Sequence, residues 1–258
     1  MRIRCAELGV SYRSDGRLVE ALAGVSLDVG EGEFISLVGP SGCGKTSLLR
    51  TVAGFVPAST GAVTRTGDTG DGSIGLVLQE DSLFPWMTAF ANATFALEMR
   101  GVPQAQREEI ARPVFARFGL GGRERAYPHE LSAGMKQRVA VARAFLSKAG
   151  LLLMDEPFGA LDAQTRQILQ QELLGEWTAS RRTVLFVTHD VEEAILLSSR
   201  VMVMTRQPGA ICATYEIPFD YPRNYGLTLT DKFVALKRGI YAHLGVQPAE
   251  AVIAARRA

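Results

Sequence analysis

At 258 residues the chain is about 1.7 times a typical domain of roughly 150 residues, which fits one large domain or a core with a smaller lobe. Its 28 Lys and Arg against 27 Asp and Glu leave a net charge of +1, a balance that argues against a protein built mainly to grip a nucleic-acid backbone. A composition of 47% hydrophobic and 21% charged residues excludes wholesale disorder.

Strands are predicted over Ile3 to Tyr12, Leu22 to Val29 and Phe34 to Val38, divided by polar turns at Ser14-Asp15-Gly16 and Gly30-Glu31-Gly32. The third is continuous and apolar, as a buried parallel strand would be. Leu48, Leu49 and Val52 then give helical spacing from Lys45 to Ala53, stopped by Gly54. The stretch Ser59 to Ser73, rich in Gly, Thr and Asp, reads as a loop or irregular hairpin ahead of a strand over Ile74 to Leu78.

From about Thr88 to Lys148 the pattern is almost wholly helical, with Ile110, Val114, Phe115 and Phe118 on one face and Val139, Ala142 and Phe145 on another. Pro113 is expected to kink or start a helix there. Strands return over Leu151 to Met154, Val184 to Thr188 and Val201 to Met204, with helices at Ala163 to Thr178 and Glu192 to Ser198. Such alternation means a mostly parallel α/β core. The expected organisation is therefore a single domain in which residues 1–87 and 149–258 form the core and residues 88–148 an inserted helical lobe. Residues 206–258 show no readable motif.

Cys5, Cys43 and Cys212 are odd in number and far apart, so they assemble neither a disulfide framework nor a Cys-x-x-Cys metal site, and a reducing cytosol fits them best. No apolar run reaches the ~18 residues of a membrane span. The start, Met1 to Glu7, meets a carboxylate before any apolar stretch develops, so a signal peptide is not expected and the protein is expected to stay inside the cell.

Chemistry concentrates at two places. Gly39-Pro40-Ser41-Gly42-Cys43-Gly44-Lys45-Thr46 matches Gly-x4-Gly-Lys-[Ser/Thr] between an apolar strand and a helix, the context a P-loop requires. Its glycines let backbone N–H groups turn inward around phosphate oxygens, Lys45 adds a cation, and Thr46 can ligate Mg²⁺. Downstream, Leu151 to Glu156 is an apolar strand ending in Asp155 and Glu156, where one carboxylate can hold Mg²⁺ and the next polarise an attacking water. Cys43 reads as a small residue that fits the turn, His129 as a solvated loop histidine, and Met202 and Met204 as core.

With these residues the sequence resembles the ATP-binding cassette (ABC) family of transport ATPases. The resemblance is carried by the P-loop, Gln79 after a strand, Leu131-Ser132-Ala133-Gly134-Met135 before a helix, Asp155-Glu156, Ala160-Leu161-Asp162, and His189 closing a strand. It implies an α/β fold: a P-loop NTPase core with a mostly parallel sheet, an N-terminal antiparallel β part and the helical lobe. It also implies that Lys45 and the loop from Gly39 through Ser47 hold ATP phosphates and that Thr46, Gln79 and Asp155 hold Mg²⁺. Glu156 would be the general base, His189 would contact the γ-phosphate, and Tyr12 would stack on adenine. Ser132, Gly134 and Asp162 join the nucleotide site, Ser132 standing where a helix N-cap belongs. The family's usual Leu-Ser-Gly-Gly-Gln is Leu-Ser-Ala-Gly-Met here, so Ala133 needs a negative φ and Met135 brings no polar side chain.

One P-loop and one Leu-Ser-x-Gly segment per chain imply a homodimer, facing head to tail, that clamps ATP. The resemblance further implies membrane permease subunits, met through Leu83, Phe84, Pro85 and Trp86, and indirectly a solute-binding protein, with no nucleic-acid partner. These features look like the nitrate, sulfonate and taurine importer class, working at the cytoplasmic face of a bacterial inner membrane. Two alternatives stand beside it: a soluble ABC ATPase acting on ribosomes or DNA, and a nucleotide switch that does not hydrolyse.

Overall fold

The computed structural model describes residues 1–14, 17–67, 74–79, 83–159 and 161–245. Outside the described residues lie Asp15 and Gly16 of the first expected turn, residues 68–73 of the expected loop, Glu80 to Ser82 ahead of Leu83, Ala160, and residues 246–258. In chain order the elements are β1 (Arg2–Ser14), β2 (Arg17–Val29), β3 (Phe34–Val38), α1 (Lys45–Ala53), β4 (Thr60–Thr66), β5 (Ile74–Val77), α2 (Ala89–Met99) and α3 (Gln104–Arg117). They continue with α4 (Ala133–Leu146), β6 (Leu151–Asp155), α5 (Ala163–Ser180), β7 (Thr183–Thr188), α6 (Val191–Leu197), β8 (Arg200–Met204), β9 (Ile211–Glu216) and α7 (Asp231–His243). The chain divides into two compact units, Met1–Gly67 with Thr183–Ala258, and Asp68–Arg182.

The first unit holds the antiparallel sheet β2-β1-β4 and the strands β7, β3, β8 and β9. β3 pairs in parallel with both β7 and β8 and is buried along its whole length, which is why its sequence is an unbroken apolar run rather than an alternation. β4 lies where the sequence suggested a loop or irregular hairpin, and it pairs antiparallel with β1. Of its residues only Val63 is half-buried, so no apolar alternation marks it; its backbone ladder to β1, from Arg2↔Thr66 to Gly9↔Thr60, makes it a strand.

The segment without a motif is folded over residues 206–245. β9 pairs antiparallel with β8, and α7 packs Phe233 and Ile240 into a cluster with Val191, Ala194 and Ile195 of α6 and Val201 and Val203 of β8. Burying each such side chain contributes about 2–3 kcal/mol. Arg223, also buried, donates to the carbonyls of Ile195 (2.9 Å), Ser198 (2.8 Å) and Phe219 (2.7 Å). It thereby satisfies carbonyls that the end of α6 would leave open.

The second unit packs α2, α3 and α4 around Ala93, Leu97, Val114, Phe115, Val139 and Phe145. The rings of Phe118 and Phe145 meet at 5.7 Å, which joins the two faces read from the sequence. Pro113 sits inside α3 rather than at its start. Beside the helices, β5 and β6 pair in parallel.

Candidate active site

In the first unit Val38, the last residue of β3, stands opposite Thr188 of β7 and Val203 of β8. The loop from Gly39, His189 and the segment from Thr205 therefore leave neighbouring parallel strands at one carboxyl edge, where open α/β sheets bind their ligands. Gly42 (φ +77°) and Gly44 (φ +94°) use left-handed backbone to turn the loop. Helix α1 starts at Lys45 with no side-chain cap and no acidic residue in its first turn, so its leading N–H groups stay available to an anion. The buried Lys45 curls its Nζ onto the carbonyls of Gly39 (2.7 Å) and Pro40 (3.1 Å). A cation, free amides and the hydroxyls of Ser41, Thr46 and Ser47, with no carboxylate in the loop, are a donor set that fits phosphates.

Tyr12 lies on β1 outside the core, 37% exposed, and its Oη donates to Ser47 Oγ at 3.1 Å. Its hydroxyl thus stands beside the start of α1, with the residue partly exposed. Cys43 is buried within the loop, and burial pushes its thiol up, so it serves as a small packing residue rather than a thiolate. His189 is exposed just beyond β7. The remaining minor readings hold: Met202 and Met204 are core, and His129 is exposed with its ring stacked on Tyr127 at 5.9 Å.

In the second unit Val77 pairs with Met154, so Gln79 and the Asp155-Glu156 pair leave β5 and β6 on one edge. The structure brings Gln79 and Glu156 together, Gln79 Nε2 donating to Glu156 Oε2 at 3.3 Å. Asp155 is buried, and Glu156 occupies left-handed backbone at φ +46°. Ser132 is the N-cap of α4, its Oγ accepting from Met135 N at 3.3 Å. Ala133 and Gly134 form the first turn of that helix, ordinary right-handed backbone at which alanine carries no strain. Asp162 caps α5 by accepting from Thr165 N at 2.9 Å, and that N–H holds its carboxyl below the usual range.

Leu83 and Phe84 are packed, whereas Pro85 and Trp86 are exposed, Trp86 at 70%. The Phe84 ring lies 4.9 Å from that of Phe95 and 5.7 Å from the Arg143 guanidinium. Sequence reading passed over Asn92, buried in α2, whose Nδ2 donates to the carbonyls of Phe84 (3.1 Å), Met87 (3.0 Å) and Thr88 (3.1 Å) while its Oδ1 accepts from Phe84 N (2.7 Å). Its signal was the one amide side chain in a mostly apolar helix. Arg223 gave no comparable signal.

Among the described residues no group of three or more His, Cys, Asp and Glu side chains forms a protein-only metal cage. The hydroxyl of Thr46, the amide oxygen of Gln79 and the carboxylate of Asp155 are hard oxygen donors, the chemistry suited to Mg²⁺ that keeps waters and phosphate oxygens in its shell.

Residues 22–159 match the family described as ABC transporter. An uncharacterized ABC transporter ATP-binding protein of Methanocaldococcus jannaschii is 45% identical over 227 residues, 87% of this chain and 85% of its own. A taurine import ATP-binding protein of Chromobacterium violaceum is 43% identical over 246 residues, 92% of this chain and 94% of its own. Among solved structures, the dimeric structure of a bacterial ABC transporter cassette is 28% identical and superposes with a TM-score of 0.74 over 84% of this chain and 100% of its own. A post-hydrolysis state of such a cassette, bound to ADP and Pi, gives 0.73 at 26% identity over the same shares. With its P-loop and acidic strand end in place, this chain belongs to the ABC transporter family, as an ATP-binding subunit and an ATPase.

Proposed function

We propose that the chain powers a bacterial importer of a small anionic solute, of the taurine, sulfonate or nitrate class, from the cytoplasmic face of the inner membrane. What carries this reading is the taurine import relative, whose similarity covers 92% of the chain and so runs well beyond the family segment of residues 22–159. The organisation that goes with it is a core of residues 1–87 and 149–258 with a helical lobe at 88–148.

In this reading Lys45 and the amides from Gly39 to Ser47 bind the phosphates, and Tyr12 stacks on the base. Thr46, Gln79 and Asp155 hold Mg²⁺, which supplies neutralising charge for the phosphate oxygens. Glu156 accepts the proton of the attacking water, and His189 hydrogen-bonds the terminal phosphate. The 3.3 Å contact of Gln79 with Glu156 supports a shared duty, in which the amide orients the carboxylate before nucleotide arrives. Ser132 and Gly134 act on the nucleotide of a second copy of the chain, with Asp162 beside it, and closure of that head-to-tail dimer drives permease subunits docked at Leu83 to Trp86. A solute-binding protein delivers cargo to the permease from the other side.

The test is uptake by proteoliposomes holding the chain, its permease and its solute-binding protein. ATP-dependent uptake of taurine, another sulfonate or nitrate is expected, and Glu156→Gln should keep ATP binding while losing turnover by about 100-fold or more. Turnover without uptake of any such anion overturns the importer class, and near-normal turnover by Glu156→Gln removes it as the base.

A further inference from the structure

The end of β8 and the turn that follows it each crowd the phosphate loop, with backbone rather than side chains at the closer point. A Cβ built on Gly209 would lie 2.0 Å from the carbonyl oxygen of Cys43 and 3.1 Å from its carbonyl carbon. A Cβ on Gly39, at the loop's other end, would meet Met204 Cβ at 3.1 Å and Met204 O at 3.2 Å. Gly209 does not use left-handed backbone. Its requirement for glycine is therefore one of space alone, and the obstructing atom belongs to a main chain that cannot rotate away.

The same segment is fastened on its far side. Gly209 N donates to Ala21 O at 2.9 Å, Ala23 N donates to Gly209 O at 3.1 Å, and Gln207 Nε2 donates to Glu20 O at 3.1 Å, all on β2. Its own turn is closed by Thr205 N to Ala210 O at 2.9 Å and Ala210 N to Thr205 Oγ1 at 3.0 Å. The Ala21 carbonyl that receives Gly209 is also the one a Cβ on Gly44 would strike, at 2.7 Å. Three backbones thus converge: β2 at Ala21, the phosphate loop at Cys43 and Gly44, and the 205–210 turn at Gly209.

We propose that Gly209 is a positioning residue for ATP, wedging the 205–210 turn between β2 and the Cys43–Gly44 peptide so that the phosphate loop keeps its curvature with no nucleotide bound. The loop's amides are then arranged before binding, and the energy of arranging them is not drawn from the phosphates. The proposal rests on the loop being the phosphate site, which Lys45→Ala tests separately.

The experiment measures ATP, ADP and adenosine affinities of the purified chain by isothermal titration, with its melting temperature taken without nucleotide. Gly209→Ala should weaken ATP and ADP at least about tenfold through displaced phosphate-binding amides, while adenosine affinity stays within about twofold. Gln207→Ala, which removes one of the turn's three bonds to β2 without crowding Cys43, should weaken ATP about two- to fivefold at an unchanged melting temperature, and it decides the matter alone if Gly209→Ala does not fold. A lowered melting temperature with unchanged ATP affinity in Gly209→Ala, or an unchanged affinity in Gln207→Ala, overturns the proposal. If Lys45→Ala binds ATP normally, the failure lies instead with the loop as phosphate site.

Discussion

Glu156, the proposed base, sits on left-handed backbone, which costs a non-glycine residue about 1–2 kcal/mol. The turn is held by Gly159 N donating to Glu156 O at 3.1 Å, and the side chain by Gln79. Local strain at the end of an apolar strand is invisible in sequence, although the acid itself was legible as the second of two carboxylates. Cys5 illustrates the opposite case, a residue with no chemistry of its own that still sets a pH limit. It lies buried on β1 between Leu27 of β2 and Val63 of β4, and burial pushes its thiol from 9.0 up to about 12. Below pH ~9 both folded and unfolded thiols are protonated, and no pH dependence arises from it. Between about 9 and about 12 only the unfolded thiol ionises, so unfolding releases a proton and stability falls by about 1.4 kcal/mol per pH unit. Urea denaturation from about pH 8 to about 11 should therefore give a steeper alkaline loss for the wild type than for Cys5→Ala, by about one proton; equal slopes would contradict the buried thiol.

The exposed Trp86, between β5 and α2, and the buried Asn92, in the first turn of α2, belong to one small structure. Asn92 ties the backbone at Phe84, Met87 and Thr88, and the tied loop presents the indole. Asn92→Ala leaves the Met87 carbonyl and the Phe84 N–H without the partner Asn92 gives them and strips a second bond from the Phe84 and Thr88 carbonyls, a loss of about 3 kcal/mol, and should lower the melting temperature and weaken the proposed permease assembly together. Trp86→Ala removes a side chain that is 70% exposed and should weaken assembly or uncouple hydrolysis from uptake at an unchanged melting temperature. Copurification with the permease and thermal melts of the isolated subunit separate the two; normal assembly of Trp86→Ala takes the indole out of the interface. Elements with a strong period were legible in the sequence: β3 and β6 as unbroken apolar runs, α1 after the loop glycines, and the helical faces of α3 and α4. β4 and β9 were not, because strands held by backbone pairing with half-exposed side chains leave no such run. α7 escaped notice because only Phe233 and Ile240 are fully buried along it. Pro113 was misleading, since tertiary packing of Val114 and Phe115 carries α3 through it.

At the scale of the whole molecule, the P-loop belongs to the first unit and the Ser132 cap to the second, each present once. The proposed pairing of two copies should therefore depend on nucleotide. Glu156→Gln, which on the proposed role of Glu156 binds ATP without turning it over, should sediment as a dimer with ATP and as a monomer without it, and adding Lys45→Ala should abolish the ATP-dependent dimer. A Glu156→Gln chain that stays monomeric at saturating ATP contradicts the head-to-tail model.

Besides their apolar cluster, the C-terminal segment and α6 are linked by two charged side chains that respond differently to ionic strength. Lys237 Nζ meets Glu192 Oε2 at 2.6 Å near the surface, where added salt screens the pair. Arg223 donates to carbonyl dipoles in the interior and has the Tyr221 ring 4.0 Å from its guanidinium carbon, so these hydrogen bonds run to neutral carbonyls rather than to a carboxylate. Concentrated electrolyte thus loosens α7 at its rim and leaves the clamp at the end of α6 intact, so the backbone that leads from His189 into β8 keeps its place in media where surface ion pairs no longer contribute.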